Sequence, residues 1–193
     1  MALFGIQKKL VEAGRIRLGE KKDGRYPSKL VDAMRFTSRS EANVAAVAAK
    51  YGTEVAKVTI NREQQFETKI PTGQVEVTFR LADISQHYEA WSGGGCQIRV
   101  SDDGLTNTVT GEALVFPEGK DITDADWREQ NNIKAKTRMS LQVAGLPVLG
   151  NWRVETGGIF AAMETAGLIE LLESAGISPQ QRIQAILRVE LRK

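Results

Sequence analysis

The sequence predicts an α+β domain, a largely antiparallel, twisted sheet with about three helices packed against it. Two runs carry the strand half of that expectation. Val75–Leu81 reads VEVTFRL, and Ile183, Ala185, Leu187, Val189 and Leu191 also alternate with polar or charged neighbours. That is the period of a half-buried strand. The helical half rests on capped stretches between such runs, of which the one ending at Gly52 is the clearest. The order of helix, meander, helix, hairpin, strands, helix and strand contains no repeat or linker, so residues 1–193 read as a single domain.

The totals narrow the classes. A chain of 193 residues, 41% of them hydrophobic, is long enough to bury a core. A net charge of +2 gives no global field of the kind that marks a nucleic-acid binder. No apolar run approaches the ~20 residues that cross a bilayer. The opening MALFGIQKKLVEAG has lysines after its apolar patch and no small-residue cleavage site, unlike a signal peptide. One cysteine forms no internal disulfide. Cytoplasmic placement is the expectation.

From the N-terminus, Ile6–Ala13 suits a short helix ending at Gly14. A loop follows, RIRLGEKKDGRYPSK, with a short strand at Ile16–Leu18. Arg15, Arg17, Lys21, Lys22, Arg25 and Lys29 there outnumber Glu20 and Asp23. Such a loop either holds an anionic partner or is simply solvated. Ser38 and Glu41 then have capping-box spacing, and Val44, Val47, Ala48 and Tyr51 line one helix face up to Gly52. Its alanines suit close packing on a sheet. Three alternating runs follow, with turns at Asn61–Gln64 and Pro71–Gly73, and suggest a three-stranded meander.

The middle of the chain, Ile84–Cys96, reads ISQHYEAWSGGGC. Asp83 and Gln86 can close a capping box, and Ile84, Tyr88 and Trp91 recur at i, i+4 and i+7. A helix is therefore expected, stopped by Gly93, Gly94 and Gly95, with a strand from Cys96 to Val100. A hairpin turn is expected at Asp103–Gly104. Residues 117–132 are polar and read as a surface excursion, with helical turns over Asp124–Gln130 around Trp127. Met139, Leu141 and Val143 alternate, as do Trp152 and Val154. Gly157–Gly158 opens a helix to about Ser174, apolar through Phe160, Met163, Leu168, Leu171 and Leu172, and Gly176 stops it.

No constellation supports an enzyme. His87 and Cys96 are the only residues of their types, too few for a metal site and not arranged by spacing as a nucleophile pair. The triple glycine follows its expected helix, whereas phosphate loops put glycine ahead of one. Asp102–Asp103 sits at a turn, and Asp121, Asp124 and Asp126 lack the glycine and glutamate of a calcium loop.

Three segments in register carry a resemblance: GRIRLGEKKDGRYPSKLVDAMRFTS, SQHYEAWSGGGCQIR and KTRMSLQVAGLPVLGNWRVETGGIFAAMETAGLIELL. They resemble the recombination directionality factors that actinobacterial phages and related integrative elements pair with large serine integrases. The likeness runs from about Gly14 to the last strand. It implies a non-catalytic protein that binds the integrase, at the coiled-coil element that decides which DNA-bound dimers synapse, and redirects recombination from integration to excision. Attachment-site DNA would be met indirectly, through the integrase. Similar proteins carry further cysteines after the position of Cys96, in a pattern that looks like a metal site. Here Val100 stands where a second would fall and Gly111–Asn132 contains none, so no cofactor is expected.

Tyr88 and Trp91, and Trp152 beside Val154, are expected in the core, Cys96 as a small buried residue, and Gly93–Gly95 as backbone devices. The candidate partner-binding residues are Arg15, Arg17, Lys21, Lys22 and Arg25, with Trp127 as an exposed aromatic. The alternatives are a phage nucleic-acid-binding protein of replication or recombination, using the basic loop and aromatic platforms, and an enzyme whose site spacing does not reveal.

Overall fold

The computed structural model describes residues 12–18, 33–147 and 150–189. In chain order the elements are β1 (Glu12–Arg17), β2 (Met34–Ser38), α1 (Glu41–Tyr51), β3 (Ala56–Ile60), β4 (Glu63–Ile70) and β5 (Gln74–Phe79). A 3-10 turn at Leu81–Asp83 precedes β6 (Ile84–Ser92), β7 (Gly95–Arg99), β8 (Thr106–Asn107), β9 (Glu112–Ala113) and α2 (Ala125–Gln130). The chain continues with β10 (Lys134–Val143), β11 (Asn151–Thr156), α3 (Ile159–Ser174) and β12 (Ile183–Arg188). The fold is α+β, with three helices among the described residues and mostly antiparallel strand pairs. It forms two compact units, one built from the described residues up to Asp83 with Ser140–Val154 and the segment from Arg182, the other from Ile84–Met139 and Glu155–Gln181.

In the first unit the strands lie in the order β12-β5-β10-β11-β1-β2-β4-β3. β1 runs parallel to β11, while β2, β4 and β3 follow antiparallel. Gly14 lets β1 pass close to its neighbours, since a Cβ there would stand 2.4 Å from both the Thr37 carbonyl oxygen and the Trp152 ring. Trp152 is buried as expected and meets Phe36 edge to face, ring centres 5.0 Å apart. Helix α1 buries Val44, Val47 and Ala48 and stops at Gly52, whose φ is +65°. Its cap is Ser40, which accepts from the Asn43 amide, and not Ser38; the Ser38 hydroxyl instead donates to the Ala13 carbonyl at 2.6 Å.

Two local expectations change here. The helix expected over Ile6–Ala13 lies mostly outside the described residues, and its last two, Glu12 and Ala13, belong to β1. The three runs after α1 are strands but not a meander. β3 and β4 form a hairpin, with Asn61 and Arg62 at positive φ in the turn. β4 then pairs with β2, and β5 pairs with β10 and β12. The Pro71–Gly73 turn therefore joins strands that are not neighbours. Its sequence marks a reversal and cannot state which strand accepts the next set of hydrogen bonds.

In the second unit, Lys134–Met139 of β10 pairs with β6, and β6 pairs with β7. The helix expected from Ile84 is thus a strand. Ser92 faces Gly95, leaving Gly93–Gly94 as a two-residue hairpin loop. Alternation explains the outcome: Tyr88 and Ala90 face an apolar cluster with Trp127 and Ile133, while Glu89 and Trp91 occupy the other face. The 117–132 segment carries α2, capped by Asp124. Trp127 is buried at 7% exposure and packs on Phe116, ring centres 4.5 Å apart. Trp127 is a core residue of this unit, not an exposed aromatic. The reversal at Asp103–Gly104 is present, with Gly104 at positive φ.

Candidate interaction surface

Helix α3 contains no fully buried residue. Its less exposed side carries Ala161, Ala162, Thr165, Ile169 and Leu172. Phe160, Met163 and Leu171 lie on the opposite side, 71, 64 and 67% exposed. With Gly167 they fall at i, i+3, i+7 and i+11, which at about 100° per residue is one stripe. Ile159 and Leu168 lie farther round the helix on either side, beyond Glu170 and Glu164 respectively. Glu170 borders the stripe on one side and Glu164 on the other, and α3 contains no lysine, arginine or histidine. A helix apolar on both faces is normally buried on both, whereas Phe160, Met163 and Leu171 here stay mostly exposed.

The strand platform of this unit is held by charge. Glu89 is fully buried and receives four hydrogen bonds: two from the Arg138 guanidinium at 2.9 and 2.6 Å, one from Arg99 at 2.7 Å and one from the Trp91 indole at 2.8 Å. Burial pushes its carboxyl upward, but the bonds from Arg138, Trp91 and Arg99 outweigh it and hold the pKa at about 2. Glu155 adds a second carboxylate, 3.5 Å from both Arg138 and Lys136. On the adjoining strand positions, Gln86 donates to the Thr137 hydroxyl at 3.0 Å and to the Ala162 carbonyl of α3 at 2.7 Å. This bond seats the first half of α3. Beside it lies a 240 Å³ cleft with Ile159, Ala162, Met163 and Ala166 on one wall and Tyr88, Ala135 and Lys136 on the other.

Only some of the residues singled out in the sequence are among the described ones. Arg15 is partly exposed and pairs with Glu12 at 3.0 Å, and Arg17 donates to the Thr37 hydroxyl at 3.0 Å. Lys21, Lys22 and Arg25 lie outside the described residues. Tyr88 is partly buried, with the Arg128 guanidinium over its ring at 4.8 Å. Trp91 is 48% exposed, so it is not a core aromatic; its task is the hydrogen bond to Glu89. Cys96 sits opposite Trp91, partly buried, with its thiol donating to the Ile98 carbonyl at 3.2 Å. Burial, first, and the Glu89 charge push that thiol upward and make it a poor nucleophile. Among the described residues no three His, Cys, Asp or Glu side chains gather as a metal site, and a lone cysteine does not fit a cysteine-held metal.

The α3 stripe was not singled out in the sequence. The signal was present in its composition, apolar residues on every side with glutamate as the only charge, and such a pattern reads by default as a core helix. The surface suits contact with another macromolecule, since it offers an exposed apolar strip beside a cleft.

No helix of the described residues is long and apolar enough to cross a membrane. No curated protein and no solved structure matches the chain. A family model described as Gp3-like, recombination directionality factor-like, matches residues 13–193. The chain belongs to that recombination directionality factor-like family.

Proposed function

We infer that this member of the family is a non-catalytic accessory protein that binds a large serine integrase, at its coiled-coil element, and turns site-specific recombination from integration to excision in the bacterial cytoplasm. The family match across residues 13–193 carries this reading. The exposed apolar side of α3 supports it, because a protein acting through a partner needs a surface that its own fold leaves uncovered. The mechanism is one of differential affinity. A factor changes the outcome of recombination only by binding the excision-competent integrase arrangement more tightly than the integration-competent one. A tenfold preference corresponds to about 1.4 kcal/mol, and near-complete reversal to about 5.5 kcal/mol.

The test uses the purified protein, the serine integrase encoded beside it, and plasmids carrying either the two starting sites or the two product sites. The expected result is integrase-dependent excision on the product sites and inhibition of the integration reaction. Both reactions unchanged, with salt-sensitive DNA binding by the protein alone, would replace this reading with the nucleic-acid-binding one.

A further inference from the structure

We propose that a polar cavity of 150 Å³ in the first unit, lined by β5, β10, the start of β11 and Arg182 just ahead of β12, binds a single phosphate ester group. This goes beyond the accessory-factor reading, which needs no such ligand. Strand pairing explains why the lining residues meet. Thr78 of β5 stands opposite Gln142 of β10, and Phe79 opposite Ile183, the residue after Arg182. Val77, Phe79, Leu141 and Val143 turn to the core, so Thr78, Ser140 and Gln142, which alternate with them, come out together on the other face. Asn151 opens β11, the strand beside β10, and adds a second amide to the cavity.

Three observations point to the ligand. The first is Asn151, which is only 9% exposed and lines the cavity, yet its side-chain amide makes no hydrogen bond among the described residues. A buried amide without a partner is costly, so the group that fills the cavity has to supply one. The second is charge. Asp83 at the cavity wall is already taken: it accepts from the Arg80 guanidinium at 2.7 and 2.9 Å and from the Arg80 amide at 3.2 Å. Arg182 is exposed and meets no carboxylate among the described residues, so it leaves one uncompensated cation at the cavity. A phosphodiester carries one negative charge, and the guanidinium fork matches its oxygens. The third is the kind and number of donors. Besides Arg182, the hydroxyls of Thr78 and Ser140 and the amides of Gln142 and Asn151 converge from three strands, none of them spent on a hydrogen bond among the described residues. A carboxylate offers two oxygens in one plane; a phosphate ester offers oxygens in a tetrahedral array, which donors from several sides can share. The cavity has room for a group well larger than a water molecule. A net charge of +2 is no obstacle, because a discrete site needs placed donors and not a global field. The phosphate could be carried by the DNA backbone or by a free nucleotide.

The test titrates the full chain, followed by heteronuclear NMR, with inorganic phosphate, thymidine monophosphate, a short DNA duplex, and acetate as a planar control, all at fixed ionic strength. Phosphate and thymidine monophosphate should saturably shift the Asn151 and Gln142 side-chain amides and the Arg182 guanidinium, and bind at least about fivefold more tightly than acetate. Arg182→Ala should weaken phosphate binding about tenfold while leaving the unfolding temperature close to that of the wild type, since the side chain is exposed. Arg182→Lys, a point charge without the fork, should recover part of that loss. Gln142→Glu, also at an exposed position, should weaken binding by a similar factor, because it sets a like charge against the ligand. A duplex that shifts the same signals at least as tightly as thymidine monophosphate, and loses them on Arg182→Ala, would support the site with the DNA backbone as the source. Thymidine monophosphate binding more tightly than the duplex would support it with a free nucleotide as the source. Acetate binding as tightly as phosphate would overturn the phosphate assignment. Shifts that do not saturate, or that Arg182→Ala and Gln142→Glu leave within about twofold of wild type, would overturn the site itself. No integrase enters this readout, so its outcome is separate from that of the excision test.

Discussion

Glu89 shows how much one side chain can decide. Its carboxylate is buried at the junction of β6, β7 and β10 and is balanced by Arg138 and Arg99. Removing it takes the buried carboxylate away from both guanidinium groups, so Glu89→Ala should destabilise the second unit by about 3–5 kcal/mol, read as a lower urea midpoint. Because the folded pKa of about 2 lies below the ordinary carboxylate value of 4.5, the stabilisation is complete above that ordinary value. It should be lost as pH falls from about 4.5 towards 2, and Glu89→Gln should flatten that part of the stability profile. The shift corresponds to something on the order of 3 kcal/mol. Gly14 makes the same point sterically. Gly14→Ala would place a methyl group against Thr37 and Trp152, and chemical denaturation should show a loss of about 1–3 kcal/mol.

At the scale of elements, those with strong local signals were legible and those set by distant partners were not. α1 is marked by its alanine-rich face and terminal glycine, while its cap, read at Ser38, is Ser40; Ser40→Ala should cost about 1 kcal/mol in thermal unfolding. α3 and β10 to β12 also follow from periodicity. β6 does not. Ile84, Tyr88 and Trp91 fit a helical spacing, and the glycines suit a helix stop as well as a hairpin loop. The strand alternation was obscured because the inward group on one face is Glu89, whose partners Arg138 and Arg99 are far along the chain or across a turn. Long-range ion pairing made a charged residue behave as core. Trp127 was misplaced for the converse reason: a polar segment hides a single aromatic that fills a small cluster with Ala90 and Ile133. The α3 stripe could be listed from the sequence, but its exposure depends on what the rest of the chain leaves uncovered.

For the whole molecule, two facts stand together: the chain belongs to the recombination directionality factor-like family, and α3 carries large apolar side chains, Phe160, Met163 and Leu171, that are mostly exposed. A near-neutral net charge of +2 accords with selection by a protein surface more than with a general attraction to phosphates. If one binding event shifts the integrase between arrangements, the gain in excision and the loss of integration are two readings of the same occupancy. The most direct test is therefore to titrate the protein into both reactions at fixed integrase and compare their midpoints. One shared midpoint is expected, displaced at least tenfold to higher concentration in both reactions by Leu171→Ser. Separate midpoints, or curves that the α3 substitution leaves in place, would contradict it.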